Sequence, residues 1–136
     1  IAIKAAKTNT KLPVMATMTF DKGPRGFFTM MGVTPQQAVT GLSDAGADVV
    51  GVNCGNGIDL MVELAHDLRK MTEELLLVHS NAGIPVITKG IICYTETPDY
   101  MAKKFKILAE LGINIIGGCC GTTPAHIQAL VDAVKH

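Results

Sequence analysis

The stretch GGCCGTTPAH, Gly117 to His126, places two thiols side by side, Cys119 and Cys120, with glycines on both flanks. A third cysteine, Cys54, stands in NCGNG, and a fourth, Cys93, lies in a long segment between apolar runs. Nothing marks the chain as secreted, and adjacent cysteines bridge each other only with strain, so a disulfide framework is the weaker reading. In an intracellular, cytoplasmic α/β chain, metal binding or catalysis is the expectation. Three cysteines and one open position describe a zinc ion that can exchange a ligand. The competing reading treats the cysteines as small buried hydrophobes. It suits Cys93, which has no partner, better than it suits Cys54, Cys119 and Cys120 together.

Neighbouring side chains on a strand point to opposite faces, so Cys119 and Cys120 can face one ion only where the strand breaks. Gly117, Gly118 and Gly121 would supply the unusual dihedrals that this requires. Cys54 is expected two strands away, with its Cα roughly 10 Å from the pair at ~4.8 Å per strand. Side chains leaning over the middle strand would close that gap.

The elements that must hold these thiols are legible as apolar runs. LPVMATMTF (Leu12–Phe20), ADVVGVNC (Ala47–Cys54), LLLVHS (Leu75–Ser80) and INIIGGC (Ile113–Cys119) are apolar nearly throughout, as parallel strands covered on both sides are. Helices alternate with them. Thr34-Pro35-Gln36-Gln37 carries an N-cap, a proline at the first helical position and a capping-box glutamine, and opens a helix to about Asp44. IDLMVELAHDLRKMTE is amphipathic, Thr97-Pro98 opens a helix ending near Leu111-Gly112, and Thr123-Pro124 opens the last. The order is α-β-α-β-α-β-α-β-α, in one domain of βα units from a barrel or an open sheet. NAGIPVITKGIICYTETP is long for a βα loop and is expected to make an excursion over the active face.

In parallel α/β folds chemistry gathers at the C-terminal strand ends. Those ends carry Asp21, Cys54, Asn81, and Cys119 with Cys120. Asn81 is either the exchangeable fourth ligand or a turn residue in NAG. Asp21 is a candidate for holding a substrate amine, or else a turn residue. His66 reads as surface, His126 as facing away from the rim, and His79 as able to point either way.

The 136 residues carry no net charge, which gives no electrostatic footprint for nucleic acid. No apolar run approaches the ~18 residues of a membrane span. Aromatic residues are only 4% of the chain, so the core must be aliphatic. The opening IAIKAAKTNTK reads as the last turns of a helix, and the expectation is a chain that begins partway through a larger unit.

GVNCGNG followed by GGCCGTTPAHI resembles the zinc-dependent homocysteine S-methyltransferases. MTFDKG, TMMGVTPQQAV and NAGIP look most like the homocysteine-binding domains of the cobalamin-dependent methionine synthases. The resemblance covers essentially all 136 residues, with Ser80 standing where the family more often has Pro or Ala. It implies a TIM (βα)₈ barrel of which residues 1–136 form the C-terminal half, strands five to eight, with zinc on Cys54, Cys119 and Cys120. It also implies methionine biosynthesis: methyl transfer to the homocysteine thiol, with methylcobalamin as donor on another domain or protein, or S-methylmethionine or a related donor instead. Corrinoid or folate domains or proteins are the implied partners. The family's first four βα units, which carry acids for the substrate amine, have no counterpart here. A homodimer of half-barrels, or association with a missing N-terminal half, is therefore expected, and the chain alone is expected to be poorly active. Two other readings are a non-catalytic zinc-bearing scaffold and a half-barrel that binds phosphate at the Thr122-Thr123 helix start.

Overall fold

Each of the four apolar runs becomes a strand of one parallel sheet in the computed structural model, which describes residues 1–135. In chain order the elements are α1 (Ala2–Asn9), β1 (Met15–Met18), β2 (Asp21–Gly23), β3 (Gly26–Phe28), α2 (Pro35–Asp44), β4 (Val49–Cys54), α3 (Ile58–Met71), β5 (Leu76–Ser80), β6 (Val86–Thr88), β7 (Ile91–Cys93), α4 (Pro98–Glu110), β8 (Ile115–Gly118) and α5 (Pro124–Val134). The sheet order is β1-β4-β5-β8, so strands adjacent in space follow one another along the chain. With right-handed crossovers, that order puts every connecting helix on the same face. The core agrees: Val50, Val52, Leu76 and Val78 pack with Ile58, Met61, Leu64, Met101, Phe105 and Leu130 of the helices. Val49 and Leu77 are buried but lie outside this cluster, on the opposite face. Helices on one face only, over a sequentially ordered parallel sheet, are the arrangement of a (βα)₈ barrel rather than of a doubly wound sheet.

Register fixes what faces the barrel interior. Met15 pairs with Val49, Leu77 with Ile115, Asn53 with His79, and His79 with Gly117. The inner face therefore runs from Met15, Val49, Leu77 and Ile115 at its lower end to Asn53 and His79 near the rim. The His79 ring lies over Gly117, where an added Cβ would meet it at 2.7 Å.

The helices start where the sequence signals them. Thr34 closes the capping box, with its Oγ1 accepting from Gln37 N and its own N–H donating to Gln37 Oε1. Thr97 accepts from Tyr100 N. At α5, His126 stands in the position usually held by an acid or glutamine, and its Nδ1 accepts from Thr123 N at 3.1 Å. α3 has no side-chain cap of its own at Gly57. Glu96, at the start of α4, fills that role by accepting the Ile58 N–H at 2.9 Å.

The strands are shorter than the apolar runs. β1 spans only Met15–Met18, and its expected C-terminal end is instead the β2–β3 hairpin, with Asp21 as its first residue. β8 begins at Ile115, because Ile113 N–H is used to close the end of α4 on Leu108 O. The long segment after β5 does make an excursion, as the β6–β7 hairpin. No helix among the described residues is long and apolar enough to cross a membrane.

Candidate metal centre

Three sulfurs meet at the C-terminal rim of β4 and β8. Cys54 Sγ lies 3.1 Å from Cys119 Sγ and 3.9 Å from Cys120 Sγ, and Cys119 and Cys120 are 3.9 Å apart. Among the described residues this is the one group of three or more potential metal-ligating side chains of the His, Cys, Asp and Glu types. Zinc–thiolate bonds of ~2.3 Å at tetrahedral angles set their sulfurs about 3.8 Å apart. Two of the three separations already have that value, and the third needs to open by well under an ångström. Cys54 and Cys119 are half-buried and Cys120 is exposed, so the triangle is open on one side. The donor set and its geometry fit zinc.

The backbone reaches this geometry in a way only partly visible in the sequence. β8 ends at Gly118, so Cys119 and Cys120 lie beyond the strand and escape its alternation. Of the three flanking glycines, only Gly121 has a positive φ (+79°). Gly117 and Gly118 are required for space, since a Cβ would meet the His79 ring at the first and the Thr122 side chain at the second. The other left-handed residue at the site is Cys54 itself, at φ +62°, a conformation that costs a non-glycine residue about 1–2 kcal/mol. That turn aims the thiol across β5 toward β8.

Hydrogen bonds brace the two halves. Asn81 donates from Nδ2 to Gly55 O at 3.0 Å and accepts the Cys120 N–H on Oδ1 at 3.0 Å, tying the Cys54 loop to the double-cysteine turn. It sits beside the thiols as the sequence places it, with its amide engaged at both ends. The second lone pair of Oδ1 leaves it able to coordinate a metal while it keeps the Cys120 N–H. Cys119 N donates to Ser80 O and Ala82 N to Cys120 O.

The thiols share protons unequally. Cys54 is pushed up to about 12, first by its hydrogen bond to Cys119, then by burial and by Cys120. Burial raises Cys119 too, but hydrogen bonds from Cys54 and Cys120 outweigh it and leave Cys119 lowered. Burial also lowers the pKa of His79.

The remaining candidates separate. Asp21 is exposed, and Asn56 Nδ2 donates to its Oδ1 at 3.3 Å. Cys93 lies on β7, outside the triangle. His66 is half-exposed on α3. His126 is buried, with Nε2 2.9 Å from Glu96 O, and links α5 to the start of α4. Two residues near the site carried no sequence signal. Glu96 caps α3 from another element, and Tyr94 lies over Gly121; neither matches a motif of fixed spacing.

The family profile described as homocysteine S-methyltransferase matches residues 1–134. Methionine synthase of Mycobacterium tuberculosis is 34% identical over 126 residues, covering 92% of this chain and 10% of that protein. Methionine synthase of Mycobacterium leprae is 35% identical over 106 residues, covering 77% of this chain and 9% of that protein. The chain thus spans about a tenth of the length of these curated relatives. In fold it is similar to the crystal structure of the homocysteine methyltransferase MmuM from Escherichia coli in its metallated form. The TM-score is 0.70 at 21% identity, over 95% of this chain and 38% of that one.

Proposed function

The chain belongs to the homocysteine S-methyltransferase family, and from that premise we propose that Cys54, Cys119 and Cys120 hold a zinc ion at which homocysteine is methylated on sulfur. The observation that carries this reading is the convergence of the three sulfurs, at 3.1, 3.9 and 3.9 Å from one another, two of these separations being those of a tetrahedral zinc site.

Zinc bound there supplies the positive charge that keeps the substrate thiol, of pKa ~8.5 when free, ionised at neutral pH. The three cysteinates would outweigh that dication by one charge, which would leave electron density on the incoming sulfur. The exposed side of the triangle, at Cys120, leaves room for its approach. The sulfur lone pair then attacks the methyl carbon. The new S–C bond forms as the bond to the donor breaks, and the leaving electron pair stays with the donor; methionine is the product. Asn81 keeps the Cys54 and Cys120 turns in register during this exchange, and its Oδ1 is the candidate for the fourth position before substrate arrives. Asp21, oriented by Asn56, is the candidate for the substrate amine. The proposed donor is methylcobalamin carried on another domain or protein.

The test is metal analysis joined to a homocysteine titration of the cobalt-substituted protein. One metal per chain, with a visible spectrum that changes on adding homocysteine, supports the reading. A protein that binds no metal, or whose cobalt spectrum ignores homocysteine, contradicts it.

A further inference from the structure

Glu96 stands two residues before α4 and is half-buried. Its polar groups bond to three different segments. The carboxylate Oε2 accepts the Ile58 N–H at 2.9 Å, where α3 opens four residues after Cys54. The backbone N–H donates to Ala82 O at 3.1 Å, the residue next to Asn81. The carbonyl accepts from His126 Nε2 at 2.9 Å, in the first turn of the helix that follows the double cysteine. Thr123 N–H can only donate to that ring and Glu96 O can only accept, so the His126 proton sits on Nε2. Ala82 N donates in turn to Cys120 O at 2.9 Å, which joins the double-cysteine turn to Glu96 by a second route. The glycines of NCGNG and NAG make room for this residue. A Cβ on Gly57 would collide with the Glu96 carboxylate, and one on Gly83 would meet its Cγ at 3.2 Å.

We propose that Glu96 is a positioning residue of the metal centre: its carboxylate and its own peptide groups hold the segments that carry Cys54, Asn81 and Cys120 in register, so that the three sulfurs converge before a metal arrives. The inference deepens the zinc reading and rests on it for the metal-loaded protein. Glu96 acts through the backbone of those segments. A site already held in shape gives up less freedom when it binds, and loss of an outer-shell support costs a metal site roughly 10–100-fold in affinity. The cap on α3 is then also a tie between the two cysteine turns, which lie on either side of β5.

Glu96→Ala deletes the carboxylate, whereas Glu96→Gln keeps an acceptor for Ile58. Thr34→Ala is the control, because it deletes a helix cap of the same kind, made with Gln37 inside α2. In competition against a chelator, Glu96→Ala is expected to hold zinc about tenfold more weakly than the wild type. Glu96→Gln and Thr34→Ala are expected to stay close to the wild type. Amide hydrogen exchange of the metal-free proteins supplies the second readout. Loss of the cap alone frees Ile58; the proposal also requires faster exchange at Ala82 and Cys120 in Glu96→Ala, restored in Glu96→Gln and absent in Thr34→Ala. Unchanged exchange at Ala82 and Cys120 overturns it, and so does an equal loss of zinc affinity in Glu96→Ala and Thr34→Ala. Should the wild-type chain take up no metal, the zinc reading fails, and exchange at Ala82 and Cys120 still decides the role of Glu96.

Discussion

Cys54 and Cys119 bring their sulfurs to 3.1 Å although they belong to strands that are not neighbours, with β5 between them. Their strands lie roughly 10 Å apart at ~4.8 Å per step, so the approach has to be made by the turns beyond the strand ends. The left-handed turn at Cys54 and the end of β8 at Gly118 make it. Asn81, on the rim just past β5, hydrogen-bonds to both sides and keeps the gap closed.

A triangle held this way is expected to bind one zinc per chain. Replacing Cys54, Cys119 or Cys120 by Ala leaves two thiolates, too few for a tight tetrahedral site. Each variant should lose its zinc on dialysis against a chelator, while Cys93→Ala keeps it. Elemental analysis of the dialysed proteins checks this, and full zinc retention by Cys119→Ala would refute the assignment.

Zinc affinity should rise with pH. Cys54, pushed up to about 12 by its bond to Cys119, keeps its proton at neutral pH in the metal-free cluster. Binding must expel that proton, so each unit of pH raises the apparent affinity about tenfold per proton displaced, until the Cys54 range is reached. Competition against a chelator between about pH 6.5 and 8.5, corrected for the chelator's own protonation, measures the slope. A flat profile would mean that the cluster is already ionised.

The strands, the helix starts and the three cysteines were legible because each has a local signature: continuous apolar runs, Thr-Pro caps, and thiols at strand ends. What the sequence hid depends on backbone and tertiary contact. Nothing in NCGNG says that Cys54 itself, rather than a neighbouring glycine, takes the left-handed turn. Gly117 and Gly118 look like flexibility and are in fact clearance for His79 and Thr122. The β2–β3 hairpin was missed because DKGPRGFF is too short for alternation to show. Tyr94 and Glu96 act on residues far from them in sequence, which no spacing rule reveals.

Glu96 illustrates the cost of such a long-range cap. Burial raises its pKa above the ordinary carboxylate value, more than the Ile58 N–H lowers it. The folded chain therefore favours the protonated acid. Its contribution is full below the unfolded pKa and is lost as pH rises through the raised folded value. Glu96→Gln retains an acceptor for Ile58 without the buried charge. It should be at least as stable as the wild type at neutral pH and should lack that pH dependence. Glu96→Ala removes the acceptor and should cost about 1 kcal/mol. Denaturant unfolding at acid and neutral pH distinguishes the two, and equal losses in both variants would count against the cap.

Both sheet edges are open, at β1 and at β8. Met15, on the inner face of β1, is 55% exposed, and the hairpin residues Ile87, Ile91 and Ile92 are more exposed still. Unpaired parallel edges and apolar surface drive association. The isolated chain is expected to self-associate and to bind a hydrophobic dye, and further strands that complete the barrel should suppress both. Light scattering that finds a dye-free monomer at micromolar concentration would show that this face is stable in water.

Gly121 is where backbone conformation and packing coincide, and a second glycine separates the two. Gly121 and Gly90 share a φ of +79°, but a Cβ at Gly90 meets nothing within 4 Å, whereas at Gly121 it collides with the Tyr94 ring. Gly90→Ala should therefore cost only the left-handed strain of about 1–2 kcal/mol and keep its zinc. Gly121→Ala carries the same strain and must also displace Tyr94 or the turn that holds Cys120, so it should unfold earlier and lose zinc. Adding Tyr94→Ala to Gly121→Ala removes the collision and should recover part of both losses, since residues in contact are not additive. Unfolding curves and zinc content for the three variants test the argument, and a Gly121→Ala protein matching Gly90→Ala in both would show that the ring gives way freely.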